Sequence, residues 1–320
     1  MTVTIKDVAK QANLSSTTVS RVLNNRGYLS DKTKKKVYDA MKALNYYPNS
    51  VARSLNGKQM GLIGLIFPQI SNVFYAELIE SIETRLFNKG YKAIVCDSFN
   101  NQEKENSYLT MLQENKVDGI ITGSHNENLQ RYKEINLPIV AFDRYLGKKI
   151  PTVSSDNFGG GQAIAKKLLD LKATKLLGFF TDIEDVAPTK DRLLGLEEQL
   201  QNTLIDYRII NIPSLATDKT RQMLMERSIY EFMPDAIVAS DDIMALFIQQ
   251  IFHTYIENNR VKILGYDGTL LIRRIHPELL TVVQPIPDIA DLLVNLLLDK
   301  IEGKNNFESK QYILPIKFHG

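Results

Sequence analysis

One cysteine, Cys96, stands among 320 residues, so no disulfide can close within a chain and no cysteine cluster exists to hold structural zinc. Long apolar runs are also missing. The longest, GLIGLIF at 61–67 and LLVNLLL at 292–298, fall far short of the roughly 20 residues that span a bilayer. The opening MTVTIKDVAKQANL carries Lys6, Asp7 and Lys10 without a continuous apolar stretch, which is no secretory signal, so a cytoplasmic protein with no membrane partner is expected. Catalytic signatures are lacking too: there is no GxSxG, Walker A loop, HExxH or dinucleotide fingerprint. The run Gly159-Gly160-Gly161 reads as a helix start, and His125, His253, His276 and His319 are scattered. Neither an enzyme nor a cofactor or metal is expected.

What is present is unevenly distributed. Residues 1–60 carry eleven lysines and arginines against Asp7, Asp31 and Asp39, a charge of +8, which leaves −6 for the other 260 residues. A basic head on an acidic body points to a head that meets phosphates. Three short helices are expected in it. One covers Ile5 to Gln11, with Thr4 as N-cap and Asp7 in a capping box; one covers 16–24; a third runs from the cap Ser30 to about Leu44.

From Leu62 the texture changes. Continuous apolar runs (LIGLIF, KAIVCD, VDGIITGS, LPIVAFD, TVSSD, KLLGFF, YRIINI, AIVAS, VKILGYD and a last YILPIKF) alternate with 10–17-residue stretches of helical period. That alternation predicts parallel strands covered on both faces, and about ten such units call for two sheets. Open parallel sheets bind ligands beyond the C-terminal ends of their strands. Those ends carry Phe67 to Phe74, Asp97, Ser124, Asp143 and Arg144, Asp156 and Asn157, Asp241 and Asp242, and Asp267. Planar carboxylate, amide and guanidinium groups take paired hydroxyls, and aromatics such as Phe74 and Tyr75 cover C–H faces, so a sugar or polyol fits. Asp156, before a helix, reads as an N-cap, and Asp242, at the start of a helix, reads as structural.

In the head, Val8, Ala9, Leu14, Val19, Val22 and Leu23 can lock two helices together, leaving Ser16, Thr17, Thr18, Ser20 and Arg21 on the outer face of the second. Short hydroxyls and an arginine on such a face suit base edges and phosphates. The bland alternative is a small helical interaction domain whose Ser/Thr run only caps a helix; the charge asymmetry counts against it. TIKDVAKQANLSSTTVSRVLNN followed by LSDKTKKKVYDAMKALNYYPNSVARSLNG resembles, essentially without gaps over residues 3–59, the helix-turn-helix head and hinge of the lactose-repressor (LacI/GalR) family of bacterial transcription repressors.

The resemblance implies an all-α head at 1–46, a linker with a hinge helix at 47–59, and a periplasmic-binding-protein-like α/β core of two doubly wound parallel-sheet subdomains. The first would hold 60–156 plus 285–309, the second 157–284 plus 310–320. It places Thr17, Thr18 and Arg21 in the major groove with Ser16 beside them, and Thr4, Ser15, Ser20, Asn24, Tyr28, Ser30 and Thr33 toward phosphates. Asn49, Val51, Ala52, Arg53 and Leu55 fall on the hinge helix, with Leu55 as a minor-groove wedge. NSVARSL is too short to hold a helix alone, so it is expected to order only on DNA beside its twin across a dimer axis. In the core, Phe74, Asp143, Arg144, Arg192, Asp241, Asp267 and Gln284 are the expected effector contacts.

Local strings such as LPIVAFDRYL, IVASDDIMAL and HPELLTVVQPI are similar to the sucrose-operon repressor branch. The expectation is therefore a homodimer on a pseudo-palindromic operator, released by a small sugar. The rival is the catabolite-control branch, which takes a phosphorylated carrier protein as corepressor. Asn295 and Asp299, where that branch has basic residues, weigh against it. No heptad segment ends the chain, which favours a dimer over a tetramer.

Overall fold

Two compact units divide the chain at Met60 and Gly61. The computed structural model describes residues 3–23, 26–46, 59–99, 101–123, 129–181, 188–304 and 311–320. Asn24 and the hinge positions Asn49, Val51, Ala52, Arg53 and Leu55, together with Ser124 and His125, lie outside the described residues. Among the described residues no helix is long and apolar enough to cross a membrane.

The head holds α1 (Ile5–Ala12), α2 (Ser16–Leu23) and α3 (Asp31–Ala43). Their start signals are chemical. Asp7 accepts from the Thr4 N–H (2.8 Å) and hydroxyl (2.7 Å), Ser15 accepts from the Thr18 N–H (3.1 Å), and Ser30 accepts from the Thr33 N–H (3.2 Å). Each satisfies helix-end groups that lack an intrahelical partner. Val8, Ala9, Ala12, Val19, Val22, Val37 and Ala40 close the small core, the apolar set that the helical period picks out.

The second unit contains two six-stranded sheets. The first comprises β1 (Leu62–Phe67), β2 (Lys92–Asp97), β3 (Gly119–Thr122), β4 (Ile139–Phe142), β5 (Thr152–Ser155) and β11 (Gln311–Leu314), in the order β11-β5-β4-β3-β1-β2. All its pairings are parallel. The second comprises β6 (Lys175–Thr181), β7 (Asp206–Ile212), β8 (Ala236–Ala239), β9 (Lys262–Asp267), β10 (Leu280–Val283) and β12 (Lys317–His319), in the order β12-β10-β9-β8-β6-β7. Only β12 runs antiparallel to its neighbour.

Helices cover both faces of each sheet, which is why the central strands read as unbroken apolar runs. Ile63, Leu65 and Phe67 of β1 pack on α4 (Val73–Asn88) and α13 (Ile286–Ile301); Ile66 faces α5 (Gln102–Glu114) and α6 (Leu129–Glu134). In β6, Leu177 and Phe179 meet α9 (Asp218–Phe232) and α10 (Asp242–Ile251), while Leu176 and Phe180 meet α7 (Asn157–Asp170) and α8 (Pro188–Leu200). Two short helices complete the unit, α11 (His253–Asn259) and α12 (Leu270–Ile275).

The structure departs from the sequence expectation in two places. LTVV at 280–283 forms β10, a strand of four residues that periodicity does not separate from its flanks. YILPIKF is not one strand: Gln311–Leu314 pairs with β5 in the first sheet, and Lys317–His319 pairs with β10 in the second. The expected assignment of 310–320 to the second subdomain is therefore corrected for Gln311–Leu314, with the last crossing at Pro315. Proline donates no ladder hydrogen bond and ends the strand there.

Candidate functional site

Two surfaces carry chemistry. On the head, Ser16, Thr17 and Arg21 of α2 are exposed, while Val19 and Val22 turn inward. Thr18 is half-buried, and its hydroxyl pairs with that of Ser15 at 2.8 Å, just as Ser30 pairs with Thr33 at 2.9 Å. These four hydroxyls thus build the starts of two helices before they meet any partner. Ser20 is half-buried, Thr4 is exposed, and Tyr28 is 100% exposed.

The second surface is a cavity of about 620 Å3 between the two sheets of the core, beyond the C-terminal ends of β1, β4, β6, β8 and β9. The chain crosses between the sheets beside it, after β5, after β10 and after β11. Phe74 and Tyr75 reach it from the start of α4, where Asn72 accepts from both their N–H groups at 2.9 and 3.4 Å. The Phe74 ring leans on Phe142 at 5.8 Å, which fixes its aspect toward the cavity.

Arg192 is the centre of the polar end. It lies on α8, is 8% exposed, and stacks on the Tyr266 ring at 3.6 Å. Its Nε donates to Asn157 Oδ1 and its Nη1 to the Ser240 carbonyl, both at 2.9 Å; Nη1 also lies 3.6 Å from Asp267 Oδ1. Glycines bring α8 this close. A Cβ on Gly161 would stand 1.9 Å from the Arg192 carbonyl oxygen, and one on Gly195 would stand 2.0 Å from that of Phe158. The glycine run does open α7, and its deeper purpose is this approach of two backbones.

Burial alone would lower the Arg192 pKa, but Tyr266, Asp267, Asp143 and Asp241 outweigh it and hold the guanidinium above its ordinary value. Burial pushes Asp267 well above the usual carboxylate range, with Arg192 pulling the other way. Asp143 rises to about 7 for the same leading reason, opposed by Arg192 and by the Asn157 amide. A carboxyl poised near neutrality both donates and accepts, which suits hydroxyl ligands.

The two carboxylates share a backbone peculiarity. Asp143 has φ +60° and Asp267 φ +104°, both in territory that side-chain-bearing residues rarely occupy. At Asp143 the chain reverses within three residues, the Arg144 N–H donating to the Phe142 carbonyl at 2.7 Å. That reversal carries Arg144 away: of the neighbours Asp143 and Arg144, only the first lines the cavity.

Gln284 does not line it either. Buried at the crossing after β10, it donates to Asp267 Oδ1 (2.7 Å) and accepts from the Ser155 hydroxyl (2.6 Å), so it orients Asp267 from behind. Asp241 lines the cavity and also caps α10, accepting from the Met244 N–H at 2.8 Å. Asp242 is structural: it accepts from Thr281 Oγ1 (2.6 Å) and the Gly268 N–H (2.8 Å), and burial lifts it to about 7. Asp156 caps α7 through the Gly159 N–H at 2.8 Å.

Sequence reasoning missed Asn157, Ser240 and Tyr266 as the groups that hold Arg192. Asn157 had a signal, since it stands at a strand end. Tyr266 had one as the residue before Asp267, and Ser240 acts through its carbonyl, which no side-chain pattern betrays. Among the described residues no three His, Cys, Asp or Glu side chains gather as metal ligands do.

Comparison with known proteins agrees with this geometry. Residues 4–49 match the family described as bacterial regulatory proteins, lacI family, and residues 60–266 match periplasmic binding proteins and sugar binding domain of LacI family. The sucrose operon repressor of Pediococcus pentosaceus is 44% identical over 317 residues, covering 98% of this chain and 97% of that protein. Among solved structures, a periplasmic binding protein/LacI transcriptional regulator from Alkaliphilus metalliredigens, complexed with D-xylulofuranose, is 28% identical with a TM-score of 0.71, covering 81% of this chain and 97% of that one. The Lac repressor dimer bound to operator and an anti-inducer is 24% identical with a TM-score of 0.83, covering 100% and 98%, which speaks for the fold.

Proposed function

The chain belongs to the LacI family of bacterial regulatory proteins, and from that premise we propose a sequence-specific DNA-binding repressor of a carbohydrate operon, released from its operator by a small sugar. It is a regulator and not an enzyme, and it acts in the cytoplasm. Two copies bind a pseudo-palindromic operator, one α2 in the major groove of each half-site. Thr17, Thr18, Arg21 and the neighbouring Ser16 read bases; Thr4, Ser15, Ser20, Asn24, Tyr28, Ser30 and Thr33 hold phosphates. The hinge residues Asn49, Val51, Ala52, Arg53 and Leu55 order between the copies, with Leu55 wedging the central step.

The observation that carries the sugar reading is the Arg192 cluster. A guanidinium and two carboxylates, each fixed by partners behind it, face one cavity with aromatic walls. Preset donors and acceptors beside aromatic faces are what a polyol requires. Sugar closes the two subdomains on itself, the first subdomains of the dimer shift relative to each other, and the hinge helices separate. Such couplings change affinity by about 5–150-fold. Identity to a protein described as a sucrose operon repressor supports sucrose or a related sugar as the ligand.

The corepressor reading fits less well. On α13, Asn295 donates to Asp291 at 2.9 Å and Asp299 follows one turn later, and acidic groups repel a phosphoserine. The test is a titration of the operator complex with sucrose, fructose and their phosphates, and separately with phosphorylated carrier protein. Release by a sugar is expected. Tightening by the carrier with no release by any sugar refutes the proposal.

A further inference from the structure

The two subdomains repeat one device at the N-terminal edges of their sheets. In the second, Asp235 stands just before β8 and accepts from the Thr174 N–H (2.9 Å) and the Lys175 N–H (3.0 Å), where β6 begins. Its own N–H donates to the Lys175 carbonyl at 3.0 Å, and the Asp206 N–H donates to that of Thr174 at 2.9 Å. The first subdomain has the same set in the same order. Asp118, just before β3, accepts from the Gly61 N–H (2.6 Å) and the Leu62 N–H (3.1 Å), both through Oδ2. Its own N–H donates to the Leu62 carbonyl and the Lys92 N–H to that of Gly61, both at 2.8 Å.

What enters each clamp differs. Thr174 follows the turn after α7, a segment of the same subdomain. Gly61 follows the linker expected at 47–59, which is proposed to order on DNA. Gly61 also has φ +68°, a conformation that suits glycine, so the chain there is held and committed to one direction. Hydrogen bonds to a carboxylate are stronger than those between neutral groups, and Asp118 is half-buried, which shields its bonds from water.

We propose that Asp118 is a positioning residue for operator binding: by pinning Gly61 and Leu62 to β3, it fixes where the linker leaves the first sheet. A movement of the first subdomain then moves the linker instead of being absorbed at the joint. This role presupposes the operator and sugar reading above and names a residue that ties the two together. Each backbone residue freed at the joint has to be ordered again on DNA, a penalty worth about tenfold in affinity. The sugar is not touched. Its cavity lies beyond the C-terminal ends of the strands, and Asp118, at the opposite edge, does not line it.

The repeat supplies its own control, because Asp235→Ala breaks the same clamp away from the linker. The full chain is compared as wild type, Asp118→Ala, Asp118→Asn, Gly61→Ala and Asp235→Ala, at a temperature where each is folded. Affinity is measured for a duplex that wild type selects from random DNA, with and without saturating sucrose, and for sucrose alone. Asp118→Ala is expected to weaken duplex binding about tenfold, and the factor by which sucrose weakens it should fall toward one. Sucrose affinity of the free protein should move less than about twofold. Asp118→Asn keeps one acceptor oxygen and should lose less, and Gly61→Ala, strained at positive φ, should follow Asp118→Ala. Asp235→Ala should lower the melting midpoint comparably yet leave duplex affinity within about twofold. Equal duplex losses in Asp118→Ala and Asp235→Ala overturn the proposal, as does a parallel loss of sucrose affinity in Asp118→Ala. If Asp118→Ala does not fold, wild-type duplex affinity in both Asp118→Asn and Gly61→Ala overturns it. A wild type that sucrose fails to release refutes the sugar reading instead, while the duplex affinities still decide the clamp.

Discussion

Arg21 stands exposed on an eight-residue helix, while Arg192 is 8% exposed and held by Asn157, Ser240, Asp267 and the Tyr266 ring. The head leaves Ser16, Thr17 and Arg21, proposed as base readers, exposed outside a small core, while Thr18 also ties the start of α2 to Ser15. The cleft makes the side chains proposed to meet the sugar part of the fold. An exposed reader can change without cost to stability, whereas a buried one cannot be removed without leaving a charge unpaired.

The largest effect should come from breaking the buried side. Asp267→Ala removes the carboxylate facing Arg192 and the acceptor of Gln284, and should cost roughly 3–5 kcal/mol in chemical denaturation as well as the sugar response. An isosteric Asp267→Asn should lose the response while keeping more of the stability; if both variants unfold like wild type, Asp267 does not hold the Arg192 cluster together. Arg21→Ala should do the reverse. Specific operator affinity should fall by about 1–3 kcal/mol, non-specific binding far less, and the melting midpoint hardly at all. Equal losses on specific and random DNA would remove Arg21 from base reading.

Acid–base behaviour sharpens the contrast with a smaller effect. In the core, burial raises Asp143 and Asp242 to about 7, so the folded state keeps protons that the unfolded chain has released. Their contribution is present at low pH and lost as pH rises from about 4 toward about 7. In the head, hydrogen bonds from Thr4 lower Asp7, so its contribution is present near neutrality and lost as pH falls into the acid range. Thermal midpoints of the core should therefore be higher at about pH 5.5 than at about pH 7.5, with the difference reduced in Asp143→Asn. A flat profile in wild type would contradict the buried, proton-keeping environment.

The same contrast explains what the sequence disclosed. The head was legible because caps and apolar spacing are local: Thr4 with Asp7, and Ser30 before α3, announce themselves within four residues. The alternation of strands and helices, and the placing of Asp143, Asp241 and Asp267 at strand ends, were equally local. What failed to show were relations across long separations. Gln284 meets Ser155 from 129 residues away and Asp267 from 17, and Asn157 serves Arg192 from 35. Positive φ at Asp143 decides that Arg144 leaves the cavity, and no pattern of residue types marks that turn. The split of YILPIKF at Pro315 was written in the chain, because proline cannot continue a ladder.

Both surfaces matter only if they are coupled, and coupling is reciprocal by thermodynamic necessity. The most direct measurement is sugar affinity, by titration with sucrose, of the free protein and of the same protein saturated with its operator. Operator should weaken sucrose binding by the same factor, about 5–150-fold, by which saturating sucrose weakens operator binding. Identical sucrose affinity with and without operator would contradict it.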